Sequence, residues 1–240
     1  LQGLKYYSED DTRPGLWHSM VGGYRFSDLE VVSAFDINSS KIGLDLSQAV
    51  FDKSNTSAKF IDLREMNIPV LPGILKDQLP KPVSQVIKVS NSLVDDITDN
   101  LKEKGVDVVV NLISSGLDRS SKTYAEASLK AECCFINATP SSIASDKSIV
   151  EKFAQQRLVV VGDDLMSQFG GTVFHKGVID FMYRRGMRVV RSYQLDVGGG
   201  TETLNTIDED IRAVKRRMKT TAISVEAPYE FKTVAGTTDY

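Results

Sequence analysis

Short apolar runs rich in β-branched residues alternate along this chain with stretches of helical periodicity, and this alternation limits the fold more than any other feature. The apolar runs are residues 29–37, 106–113, 134–138, 158–161 and 187–195. The helical stretches that precede the last four runs are residues 92–104, 123–131, 147–155 and 175–185. Strands this continuously apolar are buried on both faces, as happens when helices connect parallel strands. We therefore predict a doubly wound α/β fold, a Rossmann-like parallel sheet with right-handed crossovers.

Residues 51–88 and the two ends of the chain interrupt this alternation. Residues 51–88 are rich in Ser, Asn, Lys and Pro, which predicts a long loop or lid with one short strand. The chain starts at Leu1 inside a helical pattern, and it stops at Tyr240 directly after an extended one. We therefore interpret it as incomplete at both ends, without the first strand and glycine loop of the predicted sheet.

The character of the sequence changes after residue 195. A glycine run there leads into a charged helical pattern at 206–219. The alternating residues 220–232 then predict an antiparallel strand. We place a domain boundary near Val197, so that residues 1–197 form the doubly wound domain and residues 198–240 begin a second, α+β domain.

Length and charge exclude several classes of protein. The 240 residues carry a net charge of −3 with acids and bases mixed, which does not indicate a nucleic-acid surface or a basic membrane arm. No apolar run reaches the roughly 18–20 residues that a membrane-spanning helix needs. The adjacent Cys133 and Cys134 cannot easily bridge each other, so we expect small buried side chains in a reducing cytoplasm.

Ligands of open α/β sheets bind beyond the carboxyl ends of the strands, so the residues at these ends are candidates for a site. Asp36 closes the first apolar run and suits the ribose hydroxyls of NAD rather than NADP, although a helix cap or a solvated acid is equally compatible. Ser114 and Ser115 follow the second run, and Ala138 and Thr139 follow the third. Small residues there let a ring or phosphate approach the backbone, or form ordinary turns.

The stretch from Gly162 to Thr172 is the most informative one. Free N–H groups, hydroxyl donors and the positive end of a helix dipole make it a candidate anion site. The residues concerned are Ser167, Gln168, Gly170, Gly171 and Thr172. The preceding pair Asp163 and Asp164 suggests general acid–base work, because paired acids beside an anion are costly otherwise. The alternative is a plain capped loop.

Lys215 and Lys219 are spaced four residues apart, so they share one face of the predicted helix. Two ammonium groups there suit an oxyanion or a phosphate, and a lysine near another cation can act as a base. A solvated basic face is the alternative. His18 and His175 have no partners at zinc-like spacing, so we predict no metal ligands among the histidines.

Several of these motifs together resemble the myo-inositol-1-phosphate synthase family in its archaeal and bacterial form. The resemblance covers nearly the whole chain, and the spacing of GDD-x-x-S, Gly-Gly and Lys-x-x-x-Lys is specific in combination. The landmarks that carry it are GLKYY, GLWHSMVGGYR, EVVSAFDI, DVVVNL, KTYAEASLKA, FINATPSSIASD, GDDLMSQFGGT and YQLDVGGGTETLN.

The resemblance implies an isomerase of inositol and phospholipid biosynthesis that cyclises glucose 6-phosphate to an inositol monophosphate and recycles NAD⁺ internally. It implies a homotetramer, joined through the domain that begins after Val197. The implied NAD-binding residues are Asp36, Ser114, Ser115, Ala138, Thr139, Asp163 and Gly198. The implied phosphate ligands are Ser167, Gln168, Gly170, Gly171 and Thr172. The implied catalytic residues are Asp164, Lys215 and Lys219.

Three positions depart from the family pattern. Met166 stands where the family commonly has Lys, and Asp196 and Gly200 stand in a turn where it commonly has Asn. These departures leave open a non-catalytic paralogue that binds NAD or a sugar phosphate. A dehydrogenase that uses the same Asp36 and releases NADH is a further alternative. Some relatives use a divalent metal or ammonium ion at the phosphate, and no residue cluster in the sequence decides between these ions.

Overall fold

The computed structural model describes residues 1–8, 15–55, 57–163, 170–197 and 204–238, in which helices and strands alternate. The helices are α1 (Gln2–Tyr6), α2 (Leu46–Ala49), α3 (Lys81–Ser84), α4 (Thr98–Glu103), α5 (Asp118–Lys130), α6 (Lys147–Gln155), α7 (Gly171–Arg184) and α8 (Glu209–Ser224). The strands are β1 (Met20–Val21), β2 (Tyr24–Arg25), β3 (Ala34–Asp36), β4 (Val70–Pro72), β5 (Val108–Asn111), β6 (Cys134–Asn137), β7 (Val160–Val161), β8 (Arg191–Val197) and β9 (Lys232–Thr238). Two short 3-10 helices are Phe26–Asp28 and Asn205–Ile207.

The chain forms two compact units. The first comprises Leu1–Gly73 and Lys88–Asp95, and the second comprises Ile74–Ile87 and Asp96–Tyr240. In the first unit β3 pairs with β4 in parallel, and β1 and β2 form an antiparallel hairpin. The predicted loop with one short strand therefore contains β4, together with the single turn of α3.

Asp45 fixes the start of α2 in the first unit. Its carboxylate accepts hydrogen bonds from the backbone N–H groups of Ser47, Met66 and Ile68 at 2.9–3.1 Å. Burial raises the pKa of Asp45, but the hydrogen bonds from Ser47, Met66 and Ile68 outweigh it and lower the pKa to about 2. The carboxylate thus ties the helix start to the segment that leads into β4.

In the second unit β5, β6 and β7 form a parallel sheet in that order. The helices α5 and α6 connect the strands, so two βαβ units follow each other as the alternation predicted. The side chains of Phe135, Ile143 and Phe153 are fully buried in this part of the unit. The strands and helices predicted between residues 106 and 161 are confirmed, with shorter strands than the apolar runs.

The predicted antiparallel strand at 220–232 is wrong. Residues up to Ser224 continue α8, and the strand β9 starts at Lys232 and pairs with β8 in parallel. The helix continues because Ile223 is fully buried in a core with Ile179 of α7 and Ala235 of β9. Tertiary packing of this kind overrides the alternating pattern of the local sequence.

The α/β class with parallel strands is confirmed. The described strands form three separate parallel groups and one hairpin, so a single doubly wound sheet stays a prediction. The domain division at Val197 also stays a prediction. It falls at the end of β8, whose partner β9 lies on the other side of the boundary, whereas the compact units divide near residues 73 and 95.

Candidate functional site

A buried polar network joins the carboxyl ends of the three strands β5, β6 and β7. Asn111 and Asn137 are register partners at the ends of β5 and β6. Asn111 Nδ2 donates to Ser121 Oγ at 3.1 Å and to Asn137 Oδ1 at 2.9 Å. Asn137 Nδ2 in turn donates to Asp163 Oδ1 at 2.8 Å, beyond the end of β7. Buried polar groups need such partners, so this network fixes the relative positions of the strand ends.

Asp163 holds the loop that follows β6. Its carboxylate accepts from the backbone N–H groups of Ile143, Ala144 and Ser145 at 2.8–3.1 Å, and from Ser145 Oγ at 2.7 Å. Burial raises the pKa of Asp163, but the hydrogen bonds from Asn137 and from this loop outweigh it and hold the pKa below its ordinary value. The Asp163 carboxylate therefore holds the loop after β6 in place through hydrogen bonds. Its role toward a cofactor stays a prediction.

The small residues predicted to line a cofactor differ in accessibility. Ser115 and Thr139 are only 3% and 2% exposed, whereas Ser114 and Ala138 are half-buried. Thr139 Oγ1 lies 3.4 Å from Ser141 Oγ, so its hydroxyl belongs to the loop after β6. A ligand at the strand ends would therefore meet Ser114 and Ala138 before it met the other two.

The loop after β5 lies against α8. Gly116 has φ +85°, and a methyl group on it would come within 2.7 Å of Ile211 Cδ1. Ile211, Lys215 and Lys219 are spaced four residues apart on α8, so they share one face of that helix. The face of α8 that carries both predicted lysines therefore meets the loop after β5 at its N-terminal end, through Ile211.

A second polar cluster lies where β8 and α8 meet the start of α7. Lys219 Nζ contacts Asp196 Oδ2 at 2.7 Å, and Gln194 Nε2 donates to both Asp196 carboxylate oxygens at 2.8 Å. His175 Nδ1 lies 3.0 Å from Gln194 Oε1. A methyl group on Gly171 would overlap the Asp196 carboxylate and the Gln194 amide, so both side chains lie against the N-terminal turn of α7.

Asp36 lies in the first compact unit, at the carboxyl end of β3. Its Oδ1 accepts from Asn38 N at 2.8 Å, and its Oδ2 pairs with Lys41 Nζ at 2.9 Å. The two oxygens of a carboxylate offer about four acceptor positions, so Asp36 can accept further hydrogen bonds. The role of Asp36 toward an adenosine ribose stays a prediction.

Some predicted residues cannot be placed, and others were missed. Asp164, Ser167, Gln168 and Gly198 lie outside the described residues. Gly170 is the N-cap residue of α7, and Gly171 and Thr172 are its first two residues. The sequence reasoning missed Asn111, Asn137 and Gln194. An asparagine closes both β5 and β6, and this repeated position was the available signal for the first two.

The part of the chain that the structure describes contains neither a metal-binding cluster nor a membrane-spanning helix. No group of three or more His, Cys, Asp or Glu side chains there is arranged to hold a metal ion. Within the same ranges, no helix is both long enough and apolar enough to cross a membrane.

The fold and the site define an α/β protein of parallel βαβ units with a polar network at the carboxyl ends of its strands, where proteins of this class bind ligands. A sequence model described as Myo-inositol-1-phosphate synthase matches residues 170–238. Inositol-3-phosphate synthase of Mycobacterium tuberculosis is 36% identical over 97% of this chain, which spans 64% of that relative's length. The resemblance of the chain to the myo-inositol-1-phosphate synthase family is therefore confirmed.

Two solved structures have a similar fold. Ari2 superposes with a TM-score of 0.72 at 25% identity, over 100% of this chain and 64% of its own. A myo-inositol-1-phosphate synthase-related protein from Thermotoga maritima gives a TM-score of 0.67 at 22% identity, over 90% of this chain and 63% of its own. The second likeness is one of fold alone.

Proposed function

We propose that the protein is an inositol-3-phosphate synthase, an isomerase that cyclises glucose 6-phosphate to an inositol monophosphate with NAD⁺ regenerated in each turnover. The observation that carries the proposal is one face of α8, on which Ile211 meets the loop after β5 at Gly116 and Lys215 and Lys219 follow at intervals of four residues. The match to the family's sequence model and the identity to inositol-3-phosphate synthases support it. A homotetramer, a cytoplasmic location and a role in phospholipid synthesis stay predictions.

The cofactor would be held at the carboxyl ends of strands. NAD⁺, when bound, would accept a hydride from a substrate hydroxyl and return it at the end of the reaction. In the first unit Asp36 would accept hydrogen bonds from the adenosine ribose. In the second unit Ser114 and Ala138 are the accessible small residues, and the buried Ser115 and Thr139 would shape the backbone behind them.

The substrate phosphate would bind at the start of α7. Among the described residues, no side-chain hydrogen bond caps the start of this 14-residue helix, and the helix dipole favours negative charge there. Thr172, with Ser167 and Gln168, would add hydroxyl and amide donors. A phosphate fixed at this end holds the sugar in one place, which favours an intramolecular ring closure.

The two lysines would act on the carbonyl and the enolate of the ring-closing steps. Negative charge develops on the substrate oxygen during enolisation, and a preorganised ammonium group stabilises it in a water-poor site. Lys219 is held in place by Asp196, and Lys215 lies one turn earlier on the same face. Asp164 would relay the proton to Lys215, as the family resemblance implies.

The test incubates the full-length protein with glucose 6-phosphate and NAD⁺. Phosphorus NMR measures inositol monophosphate while absorbance at the NADH band is followed. We expect inositol monophosphate without net NADH, because the hydride is returned within one active site. Net NADH release would favour a simple dehydrogenase instead. Heat protection by NAD⁺ without any product would favour a binding paralogue and overturn the proposal.

A further inference from the structure

The carboxylate of Asp196 is fixed from three sides. Gln194 Nε2 contacts both of its oxygens at 2.8 Å, Lys219 Nζ contacts Oδ2 at 2.7 Å, and Gly171 lies against Oδ1. Asp196 and Gln194 are alternate residues of β8, so both side chains leave the same face of the strand. These contacts hold the carboxylate in one orientation. In that orientation it binds the Lys219 ammonium group beside the start of α7.

The orientation of Gln194 follows from donor and acceptor chemistry. An ionised carboxylate only accepts hydrogen bonds, so the NH₂ group of Gln194 must face Asp196 and its oxygen must face His175. His175 Nδ1, 3.0 Å from that oxygen, must then donate. The order His175, Gln194, Asp196, Lys219 is thus a directional chain of hydrogen bonds that starts on α7 and ends on α8.

We propose that Asp196 is a positioning residue that holds the Lys219 ammonium group toward the N-terminal end of α7, and that Gln194 and His175 fix the direction of the Asp196 carboxylate. The proposal rests on the proposed function for the role of Lys219 in turnover. The ion pair and its orientation can be tested without turnover. A failure of the positioning proposal is therefore distinguishable from a failure of the proposed function.

A second ion pair in the same unit provides a matched control. Lys176 Nζ contacts Glu226 Oε1 at 2.8 Å, with side chains 25% and 23% exposed. The side chains of Lys219 and Asp196 are 26% and 27% exposed. The two pairs have nearly the same distance and exposure, but Glu226 takes no part in the chain from His175 to Lys219.

The first measurement is competitive acetylation with acetic anhydride, with the modified lysines quantified by mass spectrometry in the full-length protein. Asp196→Asn removes the charge with little change in shape, and Asp196→Ala removes the side chain. We expect Lys219 to react about fivefold faster in both variants, because an amine no longer held against a carboxylate is free to attack the reagent. Lys176 should keep its wild-type rate. In Glu226→Gln we expect the opposite result: Lys176 should react faster, and Lys219 should keep its wild-type rate.

The second measurement separates positioning from simple structural support. Asp196→Ala should lower kcat about tenfold while KM for glucose 6-phosphate changes less than about twofold, since charge stabilisation acts mainly in the transition state. Gln194→Leu should raise the reactivity of Lys219 by less than Asp196→Asn does. Glu226→Gln should leave kcat unchanged.

Equal acetylation of Lys219 in the wild type, Asp196→Asn and Asp196→Ala would overturn the proposal, as would a loss of thermal stability with unchanged Lys219 reactivity. If the wild-type protein shows no turnover, the proposed function is wrong. The acetylation pattern still decides in that case whether Asp196 positions Lys219. If Asp196→Ala does not fold, Asp196→Asn and Gln194→Leu give the same comparison.

Discussion

Asn137 on β6 donates a hydrogen bond from Nδ2 to Oδ1 of Asp163 at 2.8 Å, and this contact joins the carboxyl ends of two neighbouring strands. The same Nδ2 lies 3.0 and 2.7 Å from the carbonyl oxygens of Thr139 and Ser141, so its two hydrogens are shared among three acceptors and one amide organises the loop after β6. The strand ends where ligands of this fold class bind are therefore shaped by side chains that are themselves buried.

Replacement of Asn137 by leucine should lower the free energy of unfolding by about 3 kcal/mol, because Asn111 and Asp163 would lose a partner inside the protein. Urea denaturation of both proteins measures the difference. Asn91→Leu, at an exposed asparagine, is the control and should change stability by less than about 0.5 kcal/mol. A loss no larger than that of the control would mean that the network adds nothing to stability.

Asp163 should make stability depend on pH in the acid range. Its pKa is depressed in the folded protein, so the carboxylate stabilises the fold above the unfolded-state pKa of about 3.9, and this contribution is lost as pH falls through the folded-state pKa. Asp163→Asn should be about 2 kcal/mol less stable than the wild type at pH 7. The difference should shrink below about pH 4.

Chemical denaturation at a series of pH values tests this dependence. Glu126→Gln, on the exposed side of α5, is the control, and its curve should run parallel to that of the wild type. A stability difference between Asp163→Asn and the wild type that does not vary between pH 7 and pH 3 would contradict the prediction.

Gly162 allows the backbone to pass close to β6. Its φ is +136°, and a methyl group there would overlap the carbonyl oxygen of Asn137. Gly162→Ala should therefore destabilise the protein by about 3 kcal/mol, through backbone strain and a steric clash together. Gly177 lies within α7 with open space around it, so Gly177→Ala should instead stabilise by about 0.5–1 kcal/mol. Thermal unfolding of the two variants should give shifts of opposite sign.

Asp36→Ala in the full-length protein should weaken NAD⁺ binding about 10- to 100-fold, because hydrogen bonds to a charged group would be lost. Isothermal titration calorimetry gives the dissociation constants. Asp62, an exposed acid of the same unit that pairs with Lys59, is the control for removal of one negative charge. Unchanged affinity in Asp36→Ala would mean that Asp36 serves only its contacts with Asn38 and Lys41.

Lys219→Ala should lower the turnover number of the full-length protein by about 10²–10³, since an ammonium group that stabilises developing charge contributes that much. Product formation measured by phosphorus NMR checks the rate. Lys176→Ala removes a comparably buried, ion-paired lysine and should retain wild-type turnover. Full activity of Lys219→Ala would remove this lysine from the mechanism.

The sequence by itself determined the local elements that have one dominant signal. Buried parallel strands need continuous apolar runs, so β5 and β6 and the helices α5 and α6 could be predicted from the pattern. The spacing of Lys215 and Lys219 placed both on one helix face, because the period of an α-helix is a local property. The family resemblance was likewise contained in short motifs.

Only the tertiary structure decided the conformation of segments whose local signals compete, and the contacts of residues whose partners lie far apart in sequence. The alternating residues after Lys219 remain helical up to Ser224 because Ile223 packs into a core formed by three elements. The roles of Asn137 and Asp196 depend on partners 26 and 23 residues away, Asp163 and Lys219. Hydrogen bonds and ion pairs of this kind arise from chain crossovers, which no periodicity along the sequence records.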